Sequence, residues 1–110
     1  PTLKKKNCKL FYMSVNPINS TMITKAGRGA RTEAQVREFN SKIHSGLSVN
    51  YKFIDTYSVL MKKGYGTNAS YVGVDRDSDD GLHYTTKTYK RIYYYCVTYL
   101  NTGSINATYY

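Results

Sequence analysis

The sequence predicts an α/β domain in which a parallel sheet carries helices on its faces. Residues 10–15 form an almost continuous apolar run, as in a strand that is buried on both faces. Residues 51–55 form a second strand-like run, and the amphipathic stretch between the two can serve as the crossover helix of a βαβ unit. Because two strands and two main helices make a poor closed core, we expect residues 1–110 to be the C-terminal portion of one larger α/β domain or to be completed by another chain.

The first strand is followed by a polar segment, residues 16–31, which contains two glycines and predicts a loop. In open α/β sheets ligands bind at the carboxyl ends of the strands, so this loop lies on the expected ligand side. A helix follows, since Thr32 and Gln35 have the spacing of a capping box and Gly46 supplies a stop. Its apolar face is expected to consist of Val36, Phe39, Ile43 and Leu47.

Two helices and a long loop are predicted after the second strand. Residues 56–63 predict a short helix, and residues 64–81 predict a long loop of the kind that is functional or mobile in compact domains. Thr85 is the expected N-cap of a last helix that runs to about Leu100. The apolar stripe of that helix is predicted to contain Tyr89, Ile92, Tyr93, Cys96, Val97 and Leu100.

The charge of the chain is strongly positive, with a formal net charge of +9 at pH 7. The basic residues are spread over separate segments and accompany no nucleic-acid-binding motif, so we expect a solvated basic surface and no nucleic-acid partner. Attraction to an acidic polymer such as a cell-wall glycan stays open. The 13 Tyr and 3 Phe, without any Trp, suit a sheet edge, a cleft or a partner surface.

Neither a membrane span nor a cofactor is expected. We expect no signal peptide, and no apolar run in these 110 residues is long enough to cross a bilayer. Cys8 and Cys96 lack metal-site spacing, and a bridge between them stays open. The acidic stretch that begins at Asp75 lacks the Gly and the Glu that a calcium loop of the EF-hand type needs at its sixth and twelfth positions.

The candidate site is the pair Asp80 and His83, which stand three residues apart just before the last helix. In a tight loop the Asp80 carboxylate can reach the His83 ring, fix its tautomer and stabilise its charged form, as the acid does for the base in a hydrolase triad. The competing interpretation is a surface aspartate beside a structural histidine. Ser14 ends the first strand, but no strained Gly-x-Ser-x-Gly turn supports it as a nucleophile. His44, on the first helix, is expected to be a solvated residue.

Four features, taken in order, resemble the C-terminal half of the SGNH hydrolases, the GDSL-type esterase/lipase family. They are the strand end Ser14-Val15-Asn16-Pro17, the polar loop with its crossover helix, the second strand running into Thr56-Tyr57-Ser58, and Asp80-Gly81-Leu82-His83 before a Thr-capped helix. The resemblance covers nearly the whole chain and implies a flavodoxin-like three-layer fold. It also implies that Asp80 and His83 are the acid and base of a catalytic triad. The family's Gly-Asp-Ser nucleophile block does not occur in this sequence, and its oxyanion-hole residues are not carried over.

The function that the resemblance implies is that of a serine esterase or acylhydrolase, acting on O-acyl groups of carbohydrates or on small esters. The isolated 110 residues are expected to show little or no turnover, because they lack the serine block and the oxyanion donors. The alternative is a non-catalytic binding or assembly module whose basic surface engages an acidic polymer. A third interpretation is self-association, or pairing with a missing N-terminal half, through an exposed strand edge.

Overall fold

The computed structural model describes residues 9–27, 29–47, 51–65 and 81–107. Its elements in chain order are β1 (Leu10–Met13), α1 (Ser20–Lys25), α2 (Glu33–Gly46), β2 (Tyr51–Ile54), α3 (Thr56–Lys62) and α4 (Thr86–Thr102). The two strands are parallel, with Leu10 opposite Tyr51 and Met13 opposite Ile54. The α/β class and the parallel pair that the sequence predicts are therefore confirmed, and so is the short helix after the second strand.

The helices α2 and α4 lie on opposite faces of the sheet. Successive residues of a strand point to opposite faces, so the partners of neighbouring strand residues show which helix covers which face. On one face the Phe53 ring stacks on His44 of α2 with 4.3 Å between ring centroids, and Tyr12 lies parallel to Phe53 at 6.4 Å. On the other face Phe11 meets Tyr99 of α4 edge-on at 6.2 Å. The described residues therefore form three layers, helix on sheet on helix.

The two long helices begin where the sequence predicts. The Thr32 hydroxyl accepts a hydrogen bond from the Gln35 amide at 3.2 Å, and the Gln35 side chain accepts one from the Thr32 amide at 3.0 Å. This reciprocal pair is the predicted capping box of α2. The Thr85 hydroxyl accepts from the Thr88 amide at 3.3 Å and so caps α4.

The prediction of a loop over residues 16–31 is wrong in part, because α1 occupies its middle. The Asn19 side chain caps this helix by accepting from the Met22 amide at 3.1 Å. Ile18 and Ile23 stand just before the cap and four residues after it, which are the two positions of a hydrophobic staple. Both are buried in one apolar cluster, and this burial stabilises a six-residue helix that polar composition alone does not suggest.

The prediction that the first strand is buried on both faces is wrong as well. Phe11, Tyr12 and Met13 expose 37%, 37% and 42% of their surface. Within the described ranges β1 has β2 on one side and no further strand on the other, so α2 and α4 cover its side chains only in part. The apolar run does form a strand, but among the described residues its side chains stay partly exposed.

The apolar stripe of α4 is rotated relative to the prediction. The buried residues of this helix are Thr88, Ile92 and Tyr95, whereas Tyr93 is 71% exposed. The Thr88 hydroxyl lies 3.1 Å from that of Tyr65, so a hydrogen bond satisfies this buried polar group. Tyr65 is itself part of the apolar cluster under α4. Packing against this cluster, rather than side-chain polarity, decides which face turns inward.

Cys96 lies on the sheet-facing side of α4 and is half-buried. Its Sγ is 3.6 Å from the Sδ of Met13, and burial raises the pKa of the thiol. It is a free cysteine, and Cys8 lies outside the described residues. The expectation that Cys96 serves as a small apolar residue agrees with this setting.

Candidate functional site at the carboxyl end of the sheet

His83 lies in the short segment that precedes α4, and its side chain is exposed. Asp80, the predicted partner of His83, lies outside the described residues, so the Asp80–His83 pair stays a prediction. The structure does describe how the backbone on either side of His83 is fixed. The residues that fix it are Gly81 and Tyr84.

Gly81 is fixed against the start of α1. Its carbonyl oxygen accepts a hydrogen bond from the Asn19 amide at 3.0 Å, and its φ of +77° lies in the left-handed region that favours glycine. A Cβ at this position would collide with the Asn19 carbonyl oxygen and would lie 2.9 Å from the Ile23 nitrogen. Both atoms belong to the backbone, so they cannot move away as the end of a side chain could. The glycine of Asp-Gly-Leu-His therefore allows the loop to lie directly on α1.

Tyr84 fixes the other side of His83. It is only 2% exposed, and its hydroxyl donates a hydrogen bond to the Pro17 carbonyl oxygen. The rings of Tyr65 and Tyr89 meet it edge-on at 5.7 and 5.8 Å. His83 is thus held between two residues that bind the segment directly after β1. This is the edge of a parallel sheet at which ligand sites of α/β proteins form.

Ser14, at the end of β1, is a structural residue. Its side chain is buried, its hydroxyl accepts from the Tyr57 amide at 2.9 Å, and it lies 3.1 Å from the Thr56 hydroxyl. The Thr56 hydroxyl donates to the Asn16 side chain at 2.6 Å, so the proton shared by Ser14 and Thr56 comes from Ser14. Both hydrogen-bonding roles of the Ser14 hydroxyl are therefore occupied in joining β1 to α3.

Asn40 joins α2 to the same end of β1, and sequence reasoning missed it. The side-chain oxygen accepts from the Val15 amide at 2.8 Å, and the side-chain nitrogen donates to the Val15 carbonyl at 2.9 Å. The amide group thus pairs with both backbone groups of Val15, as a neighbouring strand would. A signal was present in the sequence, since Asn40 lies between Val36 and Ile43 on the predicted apolar face of the helix.

A cavity of about 520 Å³ opens beside the loop that carries His83. Its walls come from the end of β1, from α2 and from the loop itself. Leu82 and Tyr84 line it, while His83 stands between them in sequence. The opposite walls include Val15, Val36 and Phe39, so the interior is mainly apolar. Cavities of this size and character are typical of small-molecule sites.

Charged groups on the first two turns of α2 are paired with one another. The Tyr57 hydroxyl donates to the Glu33 carboxylate at 3.1 Å, and Arg37 pairs with the same carboxylate oxygen at 3.1 Å. Burial, followed by the hydrogen bond to Glu33, raises the pKa of Tyr57 to about 12. Glu33 is thereby occupied by two partners. The cation at the rim of the cavity is Arg31.

The described part of the chain holds no group of three or more His, Cys, Asp or Glu side chains that could bind a metal ion. None of the described helices is long and apolar enough to cross a membrane. No protein-family model matches the chain, and no curated protein or solved structure gives a significant match. The site geometry therefore carries the functional argument.

Proposed function

We propose that these 110 residues are the C-terminal portion of an SGNH-type serine ester hydrolase with a flavodoxin-like fold. Its substrates would be O-acyl esters of carbohydrates or small esters. The observation that carries the proposal is the position of His83. The imidazole belongs to a loop that Gly81 and Tyr84 bind to the segment between β1 and α1, and residues of this loop line an apolar cavity that can receive part of an ester.

In this mechanism His83 acts as the general base. The imidazole takes the proton from a serine hydroxyl as the serine oxygen attacks the ester carbonyl, and it later returns the proton to the leaving alcohol. Asp80 accepts a hydrogen bond from the imidazole and holds it in the productive tautomer. The serine and the oxyanion donors would belong to the rest of the domain, which would pack against the edge of β1 that no described strand occupies.

A fluorophosphonate probe, which reacts with activated serines, tests this proposal by intact mass. The 110-residue chain should keep its mass of 12.6 kDa, while a longer polypeptide that also contains the Gly-Asp-Ser block should gain one adduct. In that polypeptide His83→Ala should abolish the adduct. The matched control is His44→Ala. His44 of α2 stacks on Phe53 of β2 and takes no part in the proposed chemistry. Labelling that survives His83→Ala would refute the proposal.

A second candidate is a non-catalytic binding or assembly module. The exposed apolar side chains of β1 favour it, since exposed apolar surface is typical of contact with another molecule. A net charge of +9 favours an acidic partner over a second copy, which would carry the same charge. Steeply salt-dependent binding to an acidic polysaccharide that is unchanged in His83→Ala would support this candidate. Binding that does not respond to salt would exclude it.

A further inference from the structure

We propose that the cavity beside His83 binds a small anionic molecule with an apolar or aromatic body, and that Arg31 binds its negative charge. This inference deepens the proposed function. It rests on that function for one point, namely that the molecule bound during turnover is an ester whose reacting bond faces His83. The binding itself requires only residues that the structure describes.

The shape and the walls of the cavity fit the apolar body of such a molecule. The volume of about 520 Å³ lies within the range of known ligand sites, roughly 300–1,000 Å³. Ile18 and Val36 are buried beneath it, and Phe39 exposes 47% of its surface at its side. Transfer of an aromatic or aliphatic group from water onto these side chains is favourable in proportion to the apolar area covered.

The rim of the cavity fits a negative charge. Arg31 is exposed and lies one residue before Thr32, the N-cap of α2, where the helix dipole adds positive potential. In the parts of the chain that the structure describes, the ion pairs join Glu33 to Arg37 and Glu38 to Lys42, and Arg31 belongs to neither. Its guanidinium is therefore available to form a charge-assisted hydrogen bond with a carboxylate.

Gln35 supplies a second polar group at the rim. Its side-chain oxygen accepts from the Thr32 amide, and its NH2 group is a donor. Two donors, one of them charged, at the mouth of an apolar cavity favour an anionic ligand over a cationic or a neutral one. A competing occupant is an apolar segment of the rest of the polypeptide, packed against the free edge of β1.

The experiment is a titration of the 110-residue chain with 2-naphthoate, followed by amide and methyl chemical shifts in two-dimensional NMR. A neutral molecule with the same rings, 2-acetylnaphthalene, serves as the reference ligand. Saturable shifts are expected at Val15, Val36 and Leu82, which line the cavity. Arg31→Gln should weaken naphthoate binding about tenfold, since a hydrogen bond to a charged group contributes roughly 1.5 kcal/mol or more. The affinity for 2-acetylnaphthalene should stay within about twofold.

The matched control is Lys62→Gln, which removes the same charge from an exposed position on α3. An equal loss of naphthoate affinity in Lys62→Gln and Arg31→Gln would show that only net charge matters and would overturn the assignment of Arg31. Shifts that do not saturate would overturn the site itself. Binding by the 110-residue chain that vanishes in the longer polypeptide would show that another segment occupies the cavity, and would overturn the ligand assignment. None of these outcomes depends on fluorophosphonate labelling, so the two proposals fail separately.

Discussion

Replacement of Gly81 by Ala should release the loop that carries His83 from α1. The cost of the backbone conformation is added to the cost of either a collision or a lost hydrogen bond at this position. A left-handed φ of +77° costs an alanine about 1–2 kcal/mol, and a methyl group forced against backbone atoms costs about 1–3 kcal/mol more. If the loop moves to relieve the collision, the hydrogen bond from the Asn19 amide is lost, at about 1 kcal/mol. The free energy of unfolding should therefore fall by roughly 2 to 5 kcal/mol, a large share of a typical domain's stability.

The matched control is Gly103→Ala. Gly103 has a φ of +78°, but no atom lies within 4 Å of the place that a Cβ would occupy, so this substitution carries the conformational cost alone. Urea denaturation of both variants, followed by circular dichroism, gives the difference between them, which isolates the contact of the loop with α1. If Gly81→Ala does not fold, the protection of the Asn19 amide from hydrogen exchange in the wild type provides the same information. Equal destabilisation of the two variants would refute the reasoning, and so would rapid exchange at Asn19.

Three further substitutions test the network around the site. Asn40→Ala should lower the free energy of unfolding by about 2 kcal/mol in urea titrations, because the amide and the carbonyl of Val15 each lose a hydrogen bond. Thr85→Ala should cost about 1 kcal/mol in the same assay, since it removes the N-cap of α4, and a change below the error of the assay would contradict this. The pKa of Tyr57 is raised in the folded state, so the folded state favours the neutral hydroxyl more than the unfolded state does. This contribution to the free energy of unfolding is complete below pH 10 and is lost as the pH rises to about 12. The stability of the wild type should therefore fall more steeply over this interval than that of Tyr57→Phe, by at most about 2.7 kcal/mol, and parallel curves would contradict this.

The parts of the fold that local sequence determines were predictable. The capping box of Thr32 and Gln35 depends on residues three positions apart, and it is present as predicted. The same holds for Thr85 at the start of α4. The helix α1 also depends on residues that are close in sequence. They are Ile18 and Ile23, the two positions of its hydrophobic staple, and an interpretation based on polar composition overlooks them.

The parts that depend on tertiary neighbours were not predictable. Tyr65 lies outside α4 and contacts Thr88 on its inward face. The spacing of apolar residues within the helix therefore cannot predict which face turns inward. Phe11 is 37% exposed because Tyr99 and its neighbours on α4 cover its face of the sheet only in part. At the site, the sequence predicts His83 as a candidate base, but the contacts of Gly81 with α1 and of Tyr84 with Pro17 could not be inferred without the fold.

The loop that carries His83 is fixed by hydrogen bonds, whereas the side chains of β1 are only partly covered. The loop is held by Asn19 and Pro17, and the end of β1 is held by Asn40 and Thr56, so each of these bonds lies within the described residues. The side chains of β1, in contrast, are partly exposed among these residues. On the proposed function, the backbone on either side of His83 is therefore fixed by contacts that do not depend on the serine-bearing part of the domain. Such preorganisation is what a triad requires of its histidine, because misplacement of the base by a fraction of an ångström weakens catalysis.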